Sequence, residues 1–112
     1  MPNESSTSTS ASVFRVDKFV VPADALPTFM EQVRRTQRAL GTIPGCQQNL
    51  VLTRTGGSGE FNVMTLVEWV DAQALAVAKA AMQKKYAKEG FDATAFMQRL
   101  GVRADMGLYS NV

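Results

Sequence analysis

The chain has 112 residues, 46% hydrophobic and 20% charged, with a net charge of +2 at neutral pH. That length fits one domain, and the charge is too small to argue for nucleic acid or an anionic membrane as partner. There is one cysteine, Cys46, and no histidine, which removes intrachain disulfides, His-ligated haem, His-based zinc and any Ser/Cys–His catalytic pair.

Residues 1–12 form a polar Ser/Thr-rich stretch. It holds too little apolar area to offset its ordering entropy, so a disordered tail is expected, with one domain over residues 13–112. No run approaches the roughly 20 apolar residues of a membrane helix. The N-terminus has neither a basic nor an apolar signal region, so the cytoplasm is the expected location.

Val13–Val21 reads as the first strand and stops at Pro22. Phe14, Val16 and Val20 share one face with Lys18. Val13, Arg15, Asp17, Phe19 and Val21 share the other, whose charges suggest partial burial. Asp24 is the expected N-cap of the first helix, with Pro27 tolerated in its first turn. Leu26, Phe29, Met30, Val33 and Leu40 fall on one helical stripe that ends near Gly41. Arg34, Arg35 and Arg38 lie on the same helix and read as its solvated side, because no glycine-rich loop accompanies them.

Ile43-Pro44-Gly45 turns onto a second strand, Cys46–Thr55, and Gly56–Gly59 links it to a third, Glu60–Trp69, as an antiparallel hairpin. The third strand is apolar on both faces. Phe61, Val63, Thr65, Val67 and Trp69 point one way, Met64 and Leu66 the other. Cover on both sides is implied: helices on one, a second copy of the chain on the other.

Asp71 caps a second helix, Ala72–Lys88, whose Leu75, Ala78, Met82 and Tyr86 share a stripe. Gly90 ends it. Asp92 caps a third helix, Ala93–Leu100, and Val102–Tyr109 is the last strand. The order β-α-β-β-α-(α)-β predicts an α+β fold. It is a ferredoxin-like βαββαβ arrangement with a four-stranded antiparallel sheet and helices on one face.

The opening strand, the helix ending at Ile43-Pro44-Gly45, the hairpin, and Glu68-Trp69 followed by Asp71-Ala72-Gln73 resemble the antibiotic biosynthesis monooxygenase family. That family belongs to the dimeric α+β barrel superfamily, and the resemblance spans residues 13–109. It implies a homodimer through the sheet face and a cofactor-free monooxygenase acting on a planar aromatic or polyketide-like molecule. Its quinone-forming members pair the tryptophan ending this strand with an asparagine four residues earlier on the same face. Trp69 matches, and Thr65 stands at the asparagine position. The resemblance therefore carries over Trp69; Thr65 joins it as the second catalytic candidate, Tyr86, Met82 and Phe29 are the candidates to bind the substrate, and no metal is expected. Its haem-degrading members ligate iron through a histidine on the second helix, which this chain lacks.

The residues themselves leave other readings open. Trp69 is either a pocket wall or a core anchor, with the core reading favoured. Tyr86 either orients a phenol or reaches water. Cys46 reads as an inert thiol, and Asn49 and Asn62 as structural amides. Glu68 reads as the ion-pair partner of Arg15 or Arg103, across the sheet or across the dimer. A non-catalytic ligand-binding or regulatory dimer, or a cofactor-free isomerase or cyclase, would use the same fold.

Overall fold

The computed structural model describes residues 12–112. The expected tail therefore lies, except for Ser12, outside the described residues. Four strands and three α-helices follow in the order β1 (Val13–Val20), α1 (Leu26–Gly41), β2 (Cys46–Thr53), β3 (Val63–Trp69), α2 (Ala72–Glu89), α3 (Ala93–Leu100) and β4 (Arg103–Tyr109). The strands form one antiparallel sheet in the order β2-β3-β1-β4. This is the expected α+β, ferredoxin-like architecture, with each β-α-β crossover returning to a non-adjacent strand.

Register decides which face of each strand is covered. Phe19 stands opposite Val63, Asp17 opposite Thr65, Arg15 opposite Val67 and Val13 opposite Trp69. Val63, Thr65, Val67 and Trp69 are all buried. The face of β1 that carries Arg15 and Asp17 is therefore the one beneath the helices. The Phe14/Val16/Lys18 face lies on the side without helices, beside Met64 and Leu66.

Two apolar clusters hold the helices down. Phe19, Val21, Phe29, Val33, Val63, Phe96 and Val102 form the larger. Val67, Trp69 and Ala78 form the smaller, flanked by Leu40, Ile43 and Leu75.

The helix ends follow local chemistry, with one exception. Asp71 accepts from the backbone N–H of Ala74 at 2.8 Å, and Asp92 from that of Ala95 at 3.1 Å. Each satisfies an N–H that the first turn leaves without a partner. Asp24 does not cap α1. It sits inside a 3-10 turn, Ala23–Ala25, and the helix starts behind Ala25 with no side-chain cap. Pro22 and Pro27 bracket that turn; Pro27 occupies the first helical turn, where its missing N–H costs nothing.

β3 begins at Val63 rather than Glu60. The Asn62 side chain accepts from Val21 N–H and donates to Val21 C=O, both at 2.9 Å. This clamp stands where a ladder would otherwise continue and ties the entry of β3 to the exit of β1. Gly45, at φ 94°, accepts through its carbonyl from Val70 N–H at 2.8 Å. A Cβ there would meet the Cβ of Ala74 at 2.7 Å, so the turn packs directly beneath α2.

Candidate active site

The two apolar clusters do not meet. Between them, under α1 and α2 and above the covered sheet face, lies a cavity of about 350 Å³. Phe19, Phe29, Val33 and Phe96 of the larger cluster wall one part of it, and Val67, Trp69 and Ala78 of the smaller wall another. The volume falls at the low end of the range of small-molecule sites.

Trp69 is 2% exposed and also lines this cavity. The core and pocket readings of this residue thus describe the same position. Thr65 lines it too and is the sole buried polar residue among those described, at 7% exposure. The two are four residues apart on one strand, about 13 Å at 3.3 Å per residue, so the cavity runs along β3. Phe29, Met82 and Tyr86 line it as well. The structure thus brings all five sequence-selected residues to one space. The alanines of α2 open that space: Ala78 is buried against the sheet at a position where a larger side chain would fill the gap.

Aromatic rings continue from one end. Phe19 meets Phe29 edge-on at 5.0 Å, and Phe29 stacks with Phe96 at 6.4 Å. Phe91 lies between Phe96 (5.4 Å) and Tyr86 (5.0 Å). The Tyr86 hydroxyl is 2.9 Å from Thr36 Oγ1, a hydrogen bond that fastens α2 to α1 across the cavity. The polar tip of Tyr86 therefore has a protein partner.

The charged members of the site were not selected from the sequence. Arg15 and Asp17 both line the cavity, and Arg15 Nε donates to Asp17 Oδ1 at 2.8 Å. A second Arg15 nitrogen, Nη2, lies 3.4 Å from the Met106 sulfur on β4. Burial pushes the Asp17 carboxyl above its ordinary value, and the Arg15 hydrogen bond and charge only partly oppose this. The signal was present in the alternation: Arg15 and Asp17 share a face with Phe19 and Val21. Those charges read as partial burial, and Arg15 and Asp17 are indeed only partly buried, on the face that the helices cover.

Within the chain Glu68 pairs with neither Arg15 nor Arg103. It lies on the opposite face of the sheet from Arg15 and accepts from Gln48 Nε2 at 2.8 Å. Arg103 pairs instead with Glu60 at 2.7 Å. Asn49 donates to the Gln37 carbonyl at 2.6 Å and takes a short hydrogen bond from the Gln37 amide, closing β2 onto α1. Cys46 is partly buried, and burial pushes its thiol up, away from a reactive thiolate. Among the described residues no three of His, Cys, Asp and Glu converge as a metal-binding group would.

No helix among the described residues is long and apolar enough to cross a membrane. No protein-family model matches the chain, and no curated protein matches it. Solved structures do. A monooxygenase candidate from Shewanella loihica PV-4 superposes with a TM-score of 0.71 at 17% identity, covering 92% of this chain and 96% of its own. SnoaB, a cofactor-independent oxygenase from Streptomyces nogalater, superposes with a TM-score of 0.65 at 24% identity, covering 91% and 94%. A conserved protein from Methanosarcina mazei Go1 gives 0.72 at 17% identity over 96% and 99%. At these identities the likeness is one of fold.

Proposed function

We propose that this protein is a small homodimeric oxygenase that oxidises a planar aromatic, polyketide-like molecule without metal or flavin. The observation that carries the reading is the cavity that divides the core, whose wall combines aromatic rings and Trp69 with polar groups such as Thr65, Arg15 and Asp17. A flat apolar ring system fits such walls, and sparse polar groups suffice to orient it. The shared fold with a cofactor-independent oxygenase supports the same class of chemistry.

In this reading the substrate's ionised ring supplies the electrons that reduce O₂. For a hydroxyanthrone, a CH₂ group and one O₂ become a C=O group and one water. The protein excludes water, fixes the ring, and offers the ionised oxygen a donor from the Trp69 indole N–H, while Thr65, four residues back along β3, holds a second oxygen of the ring system. Phe29, Met82 and Tyr86 form the apolar cradle. The second copy covers the helix-free sheet face, where Val16, Leu50 and Leu66 form an unbroken apolar row.

Oxygen uptake with a panel of hydroxyanthrones and hydroquinones tests this. The expected result is uptake with stoichiometric quinone, falling on the order of 100-fold in Trp69→Phe as one oxyanion donor is lost. Binding of these molecules without uptake would instead identify a ligand-binding protein on this fold. Full uptake in Trp69→Phe would remove Trp69 from the mechanism.

A further inference from the structure

An ion pair beneath the helices needs a reason. Arg15 and Asp17 occupy the covered face of a central strand, beside Phe19 and opposite Val67 and Thr65. Taking a carboxylate from water into such surroundings costs free energy that one ion pair seldom recovers, and a pair of apolar residues would pack there at no such cost. Both side chains nevertheless line the cavity. The Asp17 side chain is 16% exposed and that of Arg15 is 34% exposed.

We infer that Asp17 is the general base of this cavity, taking a proton from a planar, enolisable hydroxyarene, while Arg15 positions the carboxylate. The inference rests on the oxygenase reading for its substrate class.

The geometry assigns the roles. Arg15 Nε occupies Oδ1 of Asp17, which leaves Oδ2 as the oxygen to receive the proton. A 3.4 Å contact between Arg15 Nη2 and the Met106 sulfur on β4 gives the guanidinium a second partner. In the step, the C–H or O–H bond of the substrate breaks and its electron pair stays on the ring system as the enolate or phenolate. The proton forms a new O–H bond on Asp17 and later passes to solvent; no oxidant takes part. The raised carboxyl moves Asp17 towards the acidity of such substrates, which makes it a better base than an ordinary aspartate.

Among the described residues, the other groups facing this space include no second carboxylate; neutral Gln83 of α2 is one of them. From β3 come Thr65 and Val67, and from β4 Met106. α1 contributes neutral Gln32, Thr36 and Gln37, and α3 contributes Ala93, Phe96 and Met97. α2 brings Lys79 and Tyr86, the remaining titratable groups along the lining. Asp17 is thus the sole carboxylate in the cavity wall among the described residues.

The test separates proton removal from oxygen chemistry. Under argon in D₂O, exchange of the anthrone methylene protons, followed by NMR, reads the base alone. Oxygen uptake in air reads the oxygenase. Quenching of Trp69, the only tryptophan, by the matching anthraquinone reads binding.

The expected result is exchange accelerated by the native protein, with a rate that falls on acidification. Asp17→Asn should lower that rate about 10²–10⁴-fold and abolish its acidic limb, with quinone affinity changed less than about threefold. Asp17→Glu should restore part of the rate. Arg15→Gln should move the acidic limb to higher pH, an effect that loss of packing alone would not produce. Exchange without uptake keeps the base and removes the oxygenase reading. Uptake with exchange unaffected by Asp17→Asn overturns the base and keeps the oxygenase. No acceleration by the native protein, or parallel loss of rate and quinone affinity in both Asp17 variants, also overturns it.

Discussion

Leu66→Glu is expected to break the proposed dimer while leaving the monomer folded. Leu66 stands at the centre of the helix-free face, between Leu50 on β2 and Val16 on β1. Above and below that row lie Leu52 and Met64, then Phe14 and Tyr109. Leu50, Leu52 and Tyr109 are 42%, 45% and 51% exposed, high values for large apolar groups on a sheet. Charged and polar groups flank the row on the same face: Lys18 and Asp105 beside Met64, and Glu68 with Gln48 beside Phe14. An apolar centre with a polar rim is the usual anatomy of a specific interface.

Burying one leucine contributes roughly 1.5–3 kcal/mol. Two-fold symmetry counts each substitution twice, so the variant forfeits about 3–6 kcal/mol. At about 1.4 kcal/mol per tenfold, the dimer dissociation constant should rise about 10²–10⁴-fold. Two carboxylates brought into an apolar contact add to that. Sedimentation velocity across a micromolar concentration series measures it, with Val77→Glu on the exposed side of α2 as control. A native protein that sediments at 12.2 kDa throughout, or an unchanged dimer in Leu66→Glu, would refute the reasoning.

Three further outcomes follow from the packing. Gly45→Ala should destabilise by about 1–3 kcal/mol in chemical denaturation, because it combines a positive φ with a clash against Ala74. Asn62→Ala strands the N–H and C=O of Val21, which is 4% exposed, and should cost about 2–4 kcal/mol by the same measurement. Asp17→Asn should raise the melting temperature at neutral pH. The folded carboxyl titrates above its ordinary 3.8, so the native state holds the proton more tightly than the unfolded chain. Native stability is therefore lost as pH rises from 3.8 through the folded value. Asparagine cannot ionise, so its advantage should shrink as melts are repeated towards pH 3.8. A constant difference across pH would contradict this account.

The alternation of β3, the two Asp caps and the stop at Gly90, left-handed at φ 69°, carry their meaning locally. Side-chain period, a hydroxyl or carboxylate before a helix, and a left-handed stop are properties of neighbouring residues. Strand order and helix placement follow from them, because short connections leave few topologies. The same local logic put Thr65, Val67 and Trp69 on one face, and so brought Trp69 and Thr65 into one space.

Other features depend on partners distant in the chain. Asp24 has the chemistry of a cap, yet the prolines around it draw the chain into a tighter turn. Asn62 leaves the strand pattern because Val21, forty-one residues away, presents a free N–H and C=O. Arg15 and Asp17 are the clearest case. From the sequence alone, two charges on one face of a strand mark partial burial and no more. Only the register against Val67 and Thr65, and the helices that close over that face, place the charges in an apolar cavity beside Trp69. There a carboxylate gains the basicity it lacks in solvent. Sequence by itself determined the frame and the tryptophan; the tertiary structure decided which charges stand with it, because burial is a property of the whole fold and not of any one strand.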